Sequence, residues 1–97
     1  MKDINSGELS PSEKELLTHC LTKLEPELAQ QLDKLYARIL DKDTINEMRD
    51  TVGLELADKG FRPDWELNEY GAKLENLIDR LGNIYIWPER IKSKRKK

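Results

Sequence analysis

The chain contains few of the residues from which enzymes build reactive centres. With one cysteine and one histidine in 97 residues, it can form no intramolecular disulfide, no histidine pair for a metal and no zinc site made of cysteines. His19 and Cys20 are neighbours, but adjacent helical residues project about 100° apart and cannot form the hydrogen bond that activates a thiolate. A glycine-rich phosphate loop is also missing. We therefore expect a protein that is not an enzyme and that binds no cofactor and no metal.

Long apolar segments are missing as well. No apolar run approaches the roughly 20 residues that cross a bilayer, and residues 1–15 lack the apolar core of a signal peptide. A lone cysteine suits a reducing compartment. The sequence therefore predicts a soluble, cytoplasmic protein that does not enter the membrane.

Charge, in contrast, is abundant and unevenly distributed. Charged residues make up 37% of the chain, and the formal net charge is −2. Within residues 89–97, six residues are basic and one is acidic, so the remainder of the chain is acidic. We expect residues 1–88 to form a single helical domain and residues 89–97 to form a basic, flexible tail.

The first helix has the clearest boundaries in the sequence. Ser10 is followed by Pro11 and, three residues after the serine, by Glu13, which is the pattern of a capping box with proline at the first helical position. An apolar stripe at spacings of three and four residues then runs as far as Leu24. Pro26 predicts a break before the next helix.

Three further amphipathic segments follow. We predict a second helix from Pro26 to Leu40, a third from its cap Thr44 to Lys59 and a fourth from its cap Asn68 to Leu81. Thr44 with Glu47 repeats the capping-box spacing, Asn68 is a typical N-cap, and Gly82 is a typical end of a helix. Residues 84–87 are β-prone but have no partner strand, so we expect them to lie extended against the helices, with Trp87 packed on the core. The predicted fold is all-α: a small four-helix bundle with an extended aromatic segment and a basic C-terminal tail.

Two residues of the third predicted helix leave alternatives open. Gly53 lies inside the helix, where glycine either permits close backbone packing or simply weakens the helix by roughly 1 kcal/mol relative to alanine. Leu54 projects away from the apolar stripe and could mark a surface for self-association, although isolated exposed leucines are common. The oligomeric state stays undecided.

The loop between the third and fourth predicted helices, FRPDWEL, contains the leading candidate for a binding site. It places a tryptophan among carboxylates, which suits a cationic protein partner because the indole supplies buried area while the carboxylates steer the encounter. The residues that we expect to contact the partner are Asp58, Asp64, Trp65, Glu66 and Glu69. The alternative is that Trp65 fills the end of the bundle and its charged neighbours only solvate the loop.

The basic tail is the basis of a second hypothesis. Neutralising phosphates releases counterions, so a cationic segment can attach a protein to nucleic acid with an affinity that falls as salt rises. The residues that would make this contact are Arg90, Lys92, Lys94, Arg95, Lys96 and Lys97. Alternatively, the tail is only solvated, binds an acidic partner or docks on the acidic body of the same chain.

A third hypothesis concerns pairs of carboxylates. Glu66 with Glu69, and Glu47 with Asp50, are three residues apart and resemble the paired acids with which the all-α nucleotide pyrophosphohydrolases hold magnesium. That resemblance implies magnesium-dependent nucleotide hydrolysis. Glu66 precedes the predicted helix, however, and magnesium requires oxygen ligands that converge on one ion.

Segment 45–81, with the features ELADKGF, NEYG and LENLIDRL, resembles short uncharacterised bacterial proteins, some of which are similar to immunity proteins of toxin systems. The resemblance covers less than half of the chain and implies no particular partner or contact residue. A compact acidic protein is well suited to cover the substrate-binding surface of a basic toxin. Our leading hypothesis is therefore a non-enzymatic immunity-type inhibitor that docks on a cationic effector, and the nucleic-acid hypothesis is the alternative.

Overall fold

Helices account for nearly all the regular structure in the part of the chain that the computed structural model describes, residues 8–87. The elements are α1 (Pro11–Leu24), α2 (Pro26–Ala29), α3 (Leu32–Tyr36), α4 (Lys42–Lys59), α5 (Glu69–Leu81) and a π-helical turn (Gly82–Ile86). Over these residues β-pairing is limited to one isolated bridge, between Phe61 and Leu67. The all-α prediction is confirmed, although five α-helices form within the described residues where four were expected.

The start and end of α1 agree with the sequence prediction. The Glu13 backbone N–H donates to Ser10 Oγ over 3.2 Å, and the Ser10 N–H donates to Glu13 Oε1 over 2.8 Å, which completes the capping box. Pro26 begins α2 at once, so only Glu25 separates the two helices.

The predicted second helix is wrong as a continuous element. It is divided into α2 and α3, and the chain leaves α3 through Arg38, whose φ of 63° is left-handed. The Arg38 guanidinium donates to the backbone oxygen of Ile84 over 3.2 Å and lies 5.1 Å from the centroid of the Tyr85 ring. Contacts with a segment 46 residues away thus hold a turn that local helix propensity opposes, and Ile39 becomes 70% exposed instead of joining the apolar stripe.

The long helix α4 begins earlier than predicted. Asp41, not Thr44, is its N-cap: the Thr44 N–H donates to Asp41 Oδ2 over 3.0 Å, and the Thr44 hydroxyl donates to Asp41 Oδ1 over 2.7 Å. Aspartate is a stronger N-cap than threonine, which explains the shift. A β-carbon on Gly53 would have no neighbour within 4 Å, so this glycine weakens α4 without permitting any close packing.

Both predicted ends of α5 are confirmed. The Gly71 N–H donates to Asn68 Oδ1 over 2.6 Å, and the α-helix ends at Leu81 with Gly82 as its C-cap. What the sequence did not predict is that the chain then continues as the π-helical turn. The Trp87 N–H donates to the Gly82 oxygen over 2.7 Å, and a β-carbon on Gly82 would lie 2.5 Å from the Trp87 ring. The predicted extended segment is therefore wrong, while the prediction that Trp87 packs against the core is confirmed.

A single cluster of apolar side chains from α1, α3, α4, α5 and the π-helical turn forms the core. Its fully buried members are Leu17, Cys20, Leu21, Leu35, Met48, Val52, Leu74, Leu77 and Leu81. Among residues 8–87, no helix combines the length and the apolar character that crossing a membrane requires.

Candidate protein-binding surface

The segment between α4 and α5 forms a small hairpin, which we call the 61–67 hairpin. Phe61 and Leu67 pair at its base, and the Arg62 N–H donates to the Glu66 oxygen over 2.7 Å. The Trp65 N–H donates to the Arg62 oxygen over 2.8 Å, which closes a β-turn. These bonds are those of a three-residue hairpin loop, in which the third loop residue adopts the left-handed conformation.

Trp65 occupies that left-handed position, with φ at 67°. Glycine is the usual residue there, and for a bulky side chain a positive φ is an outlier. The Trp65 side chain is 80% exposed, and its only aromatic neighbour within residues 8–87 is Phe61, whose ring centroid is 6.4 Å away at an interplanar angle of 55°. The alternative that Trp65 fills the end of the bundle is wrong, because the ring projects from the hairpin into solvent.

The base of the hairpin is fixed by contacts between the end of α4 and the start of α5. The Asn68 backbone N–H donates to the Gly60 oxygen over 2.9 Å, and its side-chain amide donates to the Lys59 oxygen over 2.9 Å. A β-carbon on Gly71 would overlap the Gly60 carbonyl group, so only glycine permits this approach of α5 to α4. Trp65 is therefore presented on a short hairpin whose two ends are tied together.

Of the four predicted carboxylates, two belong to the hairpin itself. Asp64 and Glu66 flank Trp65 in the sequence, and Asp64 Oδ1 accepts the Glu66 N–H over 3.2 Å. The Glu66 carboxylate also lies 4.0 Å from the Arg62 guanidinium, and both side chains are more than half exposed, so this ion pair contributes little stability.

The other two carboxylates lie on the helices that flank the hairpin. Glu69 is exposed as the first residue of α5, directly after the Asn68 cap. Asp58 is exposed in the last turn of α4. The hydrogen bond to Glu55 raises the pKa of Lys23, and the charge of Asp58 adds to that rise. The charge of Asp58 therefore acts on Lys23 in the last turn of α1, whereas Glu69 follows the hairpin closely in the sequence.

A buried ionic cluster that was not predicted from the sequence joins α1, α4 and α5. Glu55 is 2% exposed and accepts hydrogen bonds from Lys23 Nζ over 2.8 and 3.0 Å and from the Tyr70 hydroxyl over 2.7 Å. Burial alone would raise the pKa of Glu55, but the hydrogen bonds from Lys23 and Tyr70 outweigh it and lower the pKa. The spacing could have predicted its burial, because Glu55 follows the apolar Val52 by three positions and so lies on the same buried face of α4.

Cys20 lies in the core beside this cluster and has no reactive character. The thiol is fully buried, and burial, followed by the negative charge of Glu55, raises the pKa of Cys20 to about 11. A thiol with such a pKa is protonated at neutral pH and is a poor nucleophile. His19 is exposed on the surface of α1.

Within residues 8–87, no three histidine, cysteine or acidic side chains come together in a group that could hold a metal ion. This applies to the pairs Glu66 with Glu69 and Glu47 with Asp50. The six basic residues from Arg90 to Lys97 lie outside the described residues. Comparison with protein-family models, with curated proteins and with solved structures finds no match to this chain.

Proposed function

We propose that the chain is a non-enzymatic protein-binding module that anchors a cationic partner protein through the 61–67 hairpin. The observation that carries this proposal is the position of Trp65, which is 80% exposed at a φ of 67°. An exposed tryptophan in an unfavourable backbone conformation costs stability in the free protein. A contact that buries the indole in a partner protein would give the exposed Trp65 side chain a function.

The physical chemistry of protein interfaces supports the same role. Tryptophan is among the residues enriched at binding hot spots, where a single aromatic anchor fills a pocket. Because the ends of the hairpin are tied by the Asn68 bonds to Lys59 and Gly60, little conformational entropy is lost when the loop binds. Asp64, Glu66 and Glu69 add negative charge around the anchor, which attracts a basic partner and repels an acidic one.

The most concrete form of this role is a bacterial immunity-type inhibitor in the cytoplasm that covers a basic toxin or effector. The acidic body of the chain supports this form, since an acidic inhibitor can compete with nucleic acid or another anionic substrate for a basic surface. In that case neutralising the partner requires contact only, and no residue of the chain needs to act as a catalyst.

Affinity capture from the source organism tests the proposal. The intact chain, Trp65→Gly and Ile39→Ala serve as baits, and captured proteins are identified by mass spectrometry. Ile39→Ala is the matched control because it also truncates a large apolar side chain, which is 70% exposed. Ile39 precedes the start of α4 whereas the hairpin follows its end, and a helix of that length is about 25 Å long at 1.5 Å per residue. We expect one basic protein to be captured by the intact chain and by Ile39→Ala and to be lost with Trp65→Gly.

A fourth bait, truncated after Pro88, separates this proposal from the nucleic-acid hypothesis. The proposal predicts that the truncated chain still captures the partner, because Asp64, Trp65 and Glu66 are unchanged. Capture of nucleic acid that requires residues 89–97 and ignores Trp65→Gly would contradict the proposal and transfer the function to the tail.

A further inference from the structure

The two tryptophans of the chain differ in one respect that bears on what Trp65 binds. The Arg49 guanidinium lies over the Trp87 ring, 4.9 Å from its centroid, and also donates to the Ile78 backbone oxygen over 3.0 Å. No cation lies over the Trp65 ring within residues 8–87, although Trp65 is far more exposed and stands between two carboxylates. The negative face of the Trp65 indole is thus open to solvent.

The carboxylates beside Trp65 retain capacity to pair with an incoming cation. Asp64 uses Oδ1 to accept the Glu66 N–H, and no hydrogen bond to Asp64 Oδ2 forms among the described residues. Among residues 8–87, the Glu66 carboxylate has only the 4.0 Å approach of the Arg62 guanidinium, which is the outer limit of an ion pair. A cation on the indole could therefore be paired by acidic side chains on the neighbouring residues.

We propose that the hairpin takes an arginine side chain of the partner, stacked on the exposed face of Trp65 and paired with Glu66 and Asp64. The proposal rests on the proposed function and specifies the ligand of that same surface. A guanidinium is planar and weakly hydrated, so it can lie flat on an indole while its N–H groups donate to carboxylates of the adjoining residues. An ammonium group is compact and strongly hydrated and gains less from the same surface.

The test uses three capped pentapeptides of sequence Gly-X-Gly-X-Gly, in which X is arginine, lysine or citrulline. They are titrated into the full-length ¹⁵N-labelled protein, and the two indole N–H cross-peaks are followed, assigned through Trp65→Phe. We expect the arginine peptide to shift the Trp65 cross-peak with an affinity about 3-fold higher than that of the lysine peptide. The uncharged citrulline peptide should shift it only at much higher concentration, and Trp87, already covered by Arg49, should not move.

Two charge variants complete the test. Glu66→Gln should weaken binding of the arginine peptide by about 3-fold or more, since a charge-assisted contact is lost. Glu47→Gln removes the same charge from an exposed position of α4, roughly 18 Å back along the helix from Lys59, and should leave binding unchanged. Equal affinities for the arginine and lysine peptides, or equal effects of the two variants, would overturn the proposal.

The result of the peptide titrations can be separated from the result of the affinity capture that tests the proposed function. A captured partner that depends on Trp65, but whose interface arginines can all be replaced by lysine without loss of affinity, would overturn the arginine assignment and leave the binding role intact. Conversely, arginine-selective shifts at Trp65 support the ligand assignment even where no captured protein depends on the hairpin, a result that would count against the proposed function alone.

Discussion

Replacing Trp65 by glycine should leave the protein nearly as stable as the intact chain. The side chain is 80% exposed, so about one fifth of the roughly 250 Å² that a tryptophan can bury is lost, or about 50 Å². At 25 cal/mol per Å² this loss costs about 1.3 kcal/mol. Relief of the left-handed conformation at φ 67° returns roughly 1–2 kcal/mol, while the greater freedom of glycine in the unfolded chain costs up to about 1 kcal/mol.

The net change in the free energy of unfolding is therefore expected to lie between a loss of about 1.3 and a gain of about 0.7 kcal/mol, whereas truncation of a buried tryptophan costs about 3–5 kcal/mol. Trp65→Ala loses the same contacts but keeps a β-carbon at positive φ, so it should be less stable than Trp65→Gly by about 0.5–1 kcal/mol. Ala57→Gly, at an exposed position inside α4, supplies the control, since there glycine should be less stable than alanine by roughly 1 kcal/mol.

Urea denaturation followed by circular dichroism at 222 nm measures all of these differences without relying on tryptophan fluorescence. A loss of 3 kcal/mol or more in Trp65→Gly would refute the description of Trp65 as an exposed side chain held in a strained turn. The same conclusion would follow if Trp65→Ala proved more stable than Trp65→Gly.

Three further predictions concern the interior and the helices. Tyr70→Phe removes a hydrogen bond to the buried Glu55 carboxylate and should lower stability by about 1.5 kcal/mol or more at pH 7. Because the pKa of Glu55 is lowered in the folded state, this loss of stability should shrink as pH falls below 4.5. A loss that persists at low pH in urea titrations would count against the ionic cluster. Gly71→Ala should lower stability by about 1–3 kcal/mol, because its β-carbon would overlap the Gly60 carbonyl group. Gly53→Ala, where the β-carbon has no neighbour within 4 Å, should raise stability by roughly 1 kcal/mol. Effects of the same sign in thermal melts would contradict this packing of α5 on α4. The buried Cys20 thiol, with its pKa raised to about 11, should react with a disulfide reagent at pH 8 only as fast as the protein opens, and a rate equal to that of a free thiol would contradict its burial.

Features of the fold that depend on local chemistry were predictable from the sequence. Ser10 with Glu13 and Asn68 with Gly71 make the hydrogen bonds that cap α1 and α5, and each bond joins residues three positions apart. The apolar stripes likewise follow from spacing alone. Helix existence and the all-α class were correct for these reasons.

The wrong predictions have both local and distant causes. The start of α4 differs because Asp41 takes the place of Thr44 as the N-cap, and the segment after Gly82 turns because Trp87, five residues on, bonds back to that glycine. The end of α3 before Arg38 has a distant cause, because the Arg38 guanidinium reaches Ile84, 46 residues away. Tertiary contacts of this kind routinely override local propensity.

The candidate site was predictable in composition but not in form. The concentration of carboxylates around Trp65 is plain in the sequence, whereas the hairpin that exposes the ring is not, because tryptophan is a rare residue at a left-handed turn position. Glu55 illustrates the opposite case: its place on the stripe could be read, but its partner Lys23 is 32 residues away.

The claim that Trp65 anchors the partner is tested by calorimetry with the purified partner. Its affinity is measured for the intact chain and for Trp65→Gly, at about 50 and about 300 mM salt. We predict that Trp65→Gly weakens binding by at least about 30-fold, the equivalent of the 2 kcal/mol that defines a hot spot. Raising the salt should weaken binding of the intact chain, because exposed charges steer the encounter. Equal affinities of the intact chain and Trp65→Gly would contradict the account, since the exposed indole would then have no part in binding.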